Sequence, residues 1–256
     1  MRGRRSRKPS SPWPRPASGS GRATSPAVFL DTWAQRLRDN ANRFGPARDL
    51  DVFRTELLDP VAPDGLIDTA AYRALVDAVD AERHAAHALA RRALDPDEQG
   101  RIVIAFRTEL LVLPAAARGD GLALTAFARE RLTRARRHAR KRFEAAASLE
   151  PAQLHRLRIA MKELRYAVEF FAPLFERKAV ERYLERVTRA QTTLGVLQDL
   201  AVARSRLEAW TRQTPSLALA CGFVLGWHGP RHARLRSQVL DDTRPALWGR
   251  TPWKRG

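Results

Sequence analysis

Cysteine is all but missing from these 256 residues. Cys221 stands alone, which excludes a disulfide framework and any cysteine-based zinc module and suits a reducing, cytoplasmic setting. Lysine is scarce too. Five lysines stand beside 41 arginines, so the positive charge is almost entirely guanidinium, which stays ionised at physiological pH and grips phosphate with two prongs. Long apolar runs are absent: the longest, Ser216 to Trp227, is 12 residues. A bilayer crossing needs ~20, so no membrane span is expected. The N-terminus is basic but lacks the apolar stretch of a secretory signal. Nor does the chain hold G-x-x-x-x-G-K-[ST], G-x-G-x-x-G or H-E-x-x-H, so no catalytic residue is assigned and no enzyme is expected.

Positive charge is what the chain has in excess, +18 in all, and it is unevenly spread. Residues 1–26 carry +7 with no acid, residues 27–126 carry −4, residues 127–165 carry +8 and residues 166–256 carry +7. The tail, 1–26, is Pro/Ser/Gly-rich and nearly without aliphatic side chains, so it cannot offset its ordering entropy and is expected to be disordered. Such a tail adds sequence-blind attraction for nucleic acid or another polyanion, or is a plain solvated leader.

From Ala27 onward alanine and leucine abound and β-branched runs are short, so the chain reads as all-α. Pro/Gly breaks leave helices at about 28–44, 47–58, 67–94, 98–113, 122–147, 152–176, 178–212, 216–227 and 231–248, some expected to merge. The breaks include Gly45-Pro46, Glu150-Pro151 and Gly229-Pro230.

The segment 154–175 is the most informative. At about 100° per residue, His155, Arg158, Lys162 and Arg165 recur at +3, +4, +3 inside an arc of about 80°. Leu157, Met161, Leu164, Val168, Phe171 and Phe175 fill the next arc, and Ile159, Tyr166 and Phe170 form a narrower stripe on the other flank. Cations between two apolar rows are expected to line a groove between packed helices, with buried stems and clustered heads. Stacked like charges repel by roughly 0.2–0.5 kcal/mol per pair, which a bound polyanion relieves. The competing explanation is neutralisation by acids: Glu169 falls inside the basic arc, and Glu163 or acids of another helix could join it. A second basic helix, 128–146, puts Arg134, Arg137 and Lys141 on one face, either as a solvated charged surface or as the second wall of a channel.

Self-comparison aligns Gly45-Pro-Ala-Arg-Asp-Leu-Asp-Val52 with Gly195-Val-Leu-Gln-Asp-Leu-Ala-Val202 at an offset of 150. Each copy is expected to follow one helix and open another, the glycine relieving the turn and the aspartate capping the next helix. Two copies imply two equivalent helical halves about a pseudo-two-fold.

The run His155-x-x-Arg158-Ile159-x-x-Lys162-x-Leu164-Arg165-Tyr166, followed by Leu194-Gly195-x-x-x-Asp199-Leu200-Ala201-Val202, resembles the second half of a CHAD domain, the conserved histidine α-helical domain. Residues 44–53 resemble the signature of that family's first half, and Ala220 to Trp248 its last helices. The resemblance covers about residues 28–250. It implies a helical bundle of two pseudo-symmetric four-helix repeats, about 27–121 and 122–250, around a central basic channel. It further implies non-catalytic binding of inorganic polyphosphate, no cofactor, and a cytoplasmic location at polyphosphate granules. His155, Arg158, Lys162 and Arg165 would be phosphate contacts, and channel geometry adds Arg134, Arg137 and Lys141.

The chain departs from the family pattern at one point. The first half normally opens with its own His-x-x-Arg helix, but the counterpart of His155 falls at Arg5, inside the tail. Arg36, Arg38, Arg43 and Arg48 are the nearby substitutes. Half the wall is therefore expected to be missing, unless a homodimer completes the channel or the gene model is truncated. Two other functions fit the charge: a sequence-nonspecific nucleic-acid-binding protein, or a regulatory or interaction subunit for a phosphate-metabolising enzyme. Against the first, aromatics are 7% and do not interleave with the basic rows as a stacking platform needs. His84/His87 and His228/His232 have the spacing of paired metal ligands but no third ligand, so structural roles are expected. Asp49, Asp51 and Asp199 could hold Mg²⁺ against a phosphate, although capping and pairing with Arg48 explain them more economically.

Overall fold

The computed structural model describes residues 26–61, 69–113 and 123–254, and every regular element among them is helical, as the periodicity predicts. The order is α1 (Pro26–Asn42), α2 (Gly45–Val52), α3 (Thr69–Ala93), α4 (Pro96–Leu111), α5 (Leu124–Ala145), α6 (Pro151–Phe171), α7 (Arg177–Gln213) and α8 (Ala218–Trp248). A wider π turn, Phe53–Leu58, prolongs α2. Helix starts follow local chemistry. Pro96 and Pro151 sit in first turns, where a backbone N–H has no partner to lose. Asp95 caps α4 by accepting from Glu98 N at 2.8 Å, and Glu176 caps α7 by accepting from Lys178 N and Ala179 N at 2.9 and 2.8 Å. The expectation of a disordered tail falls on residues 1–25, outside the described residues.

Two apolar cores are strung along α7 and α8, which run through both. One gathers Leu132 and Phe143 of α5, Leu157, Met161 and Leu164 of α6, Tyr183 and Leu194 of α7, and Val239 and Leu247 of α8. The other joins Phe53 to Val61, Leu75 and Val79 of α3, Leu200 to Trp210 of α7, and Leu217 to Val224 of α8. Truncating any of these leucines to alanine costs about 2–5 kcal/mol. Helices α1 and α4 make a small third cluster around Phe29, Trp33 and Ile102, pinned by Trp33 Nε1 donating to Glu109 at 2.8 Å.

Three expectations are corrected. The two glycine-centred segments are not equivalent: Gly45 opens α2, but Gly195 lies inside the unbroken 37-residue α7, and Asp199 caps nothing. Gly45 is followed by Pro46, which has no N–H to continue a helix, whereas Gly195 is followed by Val196, which does. No side chain would crowd a Cβ at Gly195, so no close approach demanded the glycine. The predicted break at Gly229-Pro230 is also absent. Burial of Val224 on one side and Val239 on the other carries α8 across Pro230 despite the lost backbone bond.

Candidate functional site

Leu157, Met161 and Leu164 are fully buried and fix the rotation of α6 about its axis. That rotation turns the neighbouring basic row toward α7, which returns antiparallel after the short link at 172–176. A crevice of about 250 Å³ opens there, lined on the α6 side by Arg158, Lys162, Arg165 and Tyr166. Thr188, Gln191 and Thr192 of α7 face them, and Arg48 reaches in from α2. Four cations from both halves of the chain thus share one crevice, and no carboxylate among the described residues lines it.

The partners of these cations differ. Arg165 Nε lies 3.3 Å from Glu169 Oε1, so neutralisation by an acid is realised at one position of the row. Among the described residues, no carboxylate approaches Arg48, Arg158 or Lys162 to within 4.0 Å. Among the described residues, Gln191 Nε2 is a buried donor without a hydrogen-bond acceptor. Such a donor is costly to leave unmade, and an anion in the crevice would satisfy it. From the flanking stripe one aromatic does reach the cations: the Tyr166 ring lies 5.7 Å from Lys162 Nζ and 5.3 Å from the Arg165 guanidinium. Tyr166 and its companions Ile159 and Phe170 are 49%, 42% and 78% exposed, so only one of the two apolar flanks is packed.

His155 is separated from the rest of the row. It lines an adjoining cavity of about 210 Å³ with Asp49 and Asp199, sharing only Arg158 with the crevice. Ten residues of helix put it about 15 Å from Arg165 along the axis. Its Nδ1 is 2.9 Å from Gln198 Oε1. Burial pushes the Asp199 carboxyl above its ordinary range, opposed by the nearby Arg158 guanidinium.

The second wall predicted on α5 does not form. Arg134, Arg137 and Lys141 are exposed and line no part of the crevice, and Arg134 is paired with Glu130 at 2.6 Å. The cause is the rotation of α5, which buries Ala128, Leu132, Arg136, Ala139 and Phe143 and leaves Arg134, Arg137 and Lys141 toward solvent. Small alanines carry much of that face, which made it hard to see beside the charges. Arg136 and Arg140 instead donate to Gly249 O at 2.5 Å and Leu247 O at 2.8 Å. Arg186 of α7 donates to Arg250 O at 2.7 Å. These three guanidiniums close the C-terminal end of α8, where carbonyls lack partners.

One histidine of each spaced pair is held by a structural contact. His228 is buried with Nε2 on Leu57 O at 2.9 Å, and His87 Nε2 meets Asp51 Oδ1 at 2.8 Å. Asp51 also accepts from Arg83 Nε at 2.6 Å, so its carboxylate is turned to α3 rather than toward Asp49 and Asp199. Among the described residues no group of three His, Cys, Asp or Glu side chains is placed to hold a metal ion, and no helix is long and apolar enough to cross a membrane.

Residues 21–208 match the family model of the CHAD domain. The crystal structure of the CHAD domain from the plant Ricinus communis resembles this chain with a TM-score of 0.68 at 27% identity, over 88% of this chain and 76% of that one. No curated protein matches the chain.

Proposed function

Because this chain belongs to the CHAD-domain family, we propose that it binds inorganic polyphosphate, without turning it over, in the crevice between α6 and α7. The observation that carries the reading is a crevice holding Arg48, Arg158, Lys162 and Arg165 with no carboxylate among its described lining residues. Guanidinium forks match two phosphate oxygens each, and the lysine adds a point charge. The orphan donor of Gln191 and the hydroxyls of Thr188 and Thr192 suit the neutral part of the recognition. His155 stands at the edge, a contact only for a chain long enough to pass Arg158. Binding by charge on this scale weakens as salt rises, because the polyanion releases counterions on binding.

The test is a competition titration at one salt concentration, with labelled long-chain polyphosphate challenged by duplex and by single-stranded nucleic acid. Polyphosphate is expected to bind tighter than either competitor at equal charge. Equal or better binding of nucleic acid would overturn the reading in favour of a sequence-blind nucleic-acid-binding protein.

A further inference from the structure

The stripe of α7 that faces the basic row changes character at both ends. Glu185, Thr188, Thr192, Gly195 and Asp199 recur at +3, +4, +3 and +4, which keeps them within an arc of about 80°. The neutral middle, Thr188 and Thr192, lies against Arg158, Lys162 and Arg165 of α6. The register of the two antiparallel helices is pinned by His155, whose Nδ1 lies 2.9 Å from Gln198 Oε1. One turn beyond Arg165 on α6 comes Glu169, and one turn before Thr188 on α7 comes Glu185. Two exposed carboxylates therefore stand level with each other at that end. At the other end, beyond Arg158, the crevice gives way to the cavity that holds Asp49 and Asp199.

The result is a cationic segment bounded by acids rather than a continuous basic track. Two turns of helix separate Arg158 from Arg165, ~10 Å along the axis, and Arg48 joins them from α2. One phosphate for each cation makes about four. A longer chain must either bend its flanking phosphates into solvent or carry them past Glu169 and Glu185 on one side and Asp49 and Asp199 on the other. Like charges at close range repel. His155 is outnumbered in its cavity by the two carboxylates beside it.

We propose that the crevice is a short-oligophosphate site, filled by a linear run of about four phosphates, with Glu169, Glu185, Asp49 and Asp199 as the residues that set its length. The inference rests on the polyphosphate reading of the crevice given above. Calorimetric titration of the full chain with pyrophosphate, tripolyphosphate, tetraphosphate and long-chain polyphosphate tests it. Concentrations are expressed as total phosphate, so that a long chain gains nothing from its many binding registers. Affinity should climb at least tenfold from pyrophosphate to tetraphosphate, as two further charge-assisted contacts form, and then stay within about twofold for the long chain. Glu185→Gln with Asp199→Asn opens both ends and should tighten long-chain polyphosphate several-fold more than tetraphosphate. Glu185→Gln, at an exposed side chain, serves alone if the double variant misfolds. A long chain that binds tenfold or more tighter than tetraphosphate, or a variant without the long-chain bias, would overturn the length limit and leave polyphosphate binding in the crevice standing. Binding of none of the four anions would remove the crevice reading itself, and the length limit with it.

Discussion

Two groups of arginines carry the same charge and meet opposite fates. Arg136, Arg140 and Arg186 are turned inward and spend their hydrogen bonds on the backbone carbonyls that end α8. Arg136 is 6% exposed, and burial lowers its affinity for the proton without a carboxylate to compensate. Tyr183, packed beside these guanidiniums, has its phenol pushed up to about 12 by burial. Arg48, Arg158 and Lys162 face a crevice instead, and no carboxylate among the described residues is paired with them. Net charge therefore overstates the ligand-binding surface. Two cations of 127–165, Arg136 and Arg140, serve a helix end, and the cations that share the crevice lie on α6 and α2.

The sharpest way to break this comparison is to reverse the crevice charges. Arg158→Glu with Arg165→Glu removes two charge-assisted contacts, each worth ~1.5–3 kcal/mol. Polyphosphate affinity should fall by about 100-fold or more, while helicity and melting temperature stay near those of the parent. Retained binding in a filter or anisotropy assay would place the anion elsewhere. The converse substitution, Arg136→Ala, should cost about 2 kcal/mol in urea unfolding, from a lost charged hydrogen bond to a buried carbonyl. Its polyphosphate affinity should change by less than about twofold, since its ΔΔG should be additive with distant sites. A stability loss accompanied by lost binding would show that the two groups are not separable.

The α6 row was legible in the sequence because Leu157, Met161 and Leu164 declare which way the helix must turn, and the cations follow at fixed angles. The neighbouring α5 was not, because its buried face rests on Ala128, Ala139 and a buried Arg136 rather than on a bold apolar stripe. Arg48 was visible only as a substitute. Its arrival beside Arg158 depends on how α2 docks against α6 and α7, which no local spacing encodes. Gly195 misled for a different reason: a glycine without a following proline is a weak breaker when Leu194, Leu197 and Leu200 all gain burial from continuing the helix.

Asp199 gives the smallest and most discriminating effect, because it adjoins the crevice while belonging to neither arginine group. Its carboxyl is raised by burial, and Asp49 adds to the shift while Arg158 and Arg48 oppose it. A carboxyl raised in the folded state binds its proton more tightly than in the unfolded chain. Its contribution to stability is therefore fully present below the unfolded value of about 3.9 and is lost as pH rises through the folded value. Asp199→Asn should remove that loss, so the variant gains stability relative to the parent as pH climbs from 4 toward neutrality, read by urea midpoints across that range. A polyanion entering beside Arg158 would also be repelled by the ionised carboxylate. The same substitution should then tighten polyphosphate a few-fold at neutral pH, and the gain should shrink as salt screens the repulsion. Weaker binding in Asp199→Asn would mean that the carboxylate holds Arg158 in its binding position, and that the crevice depends on an acid outside its own walls.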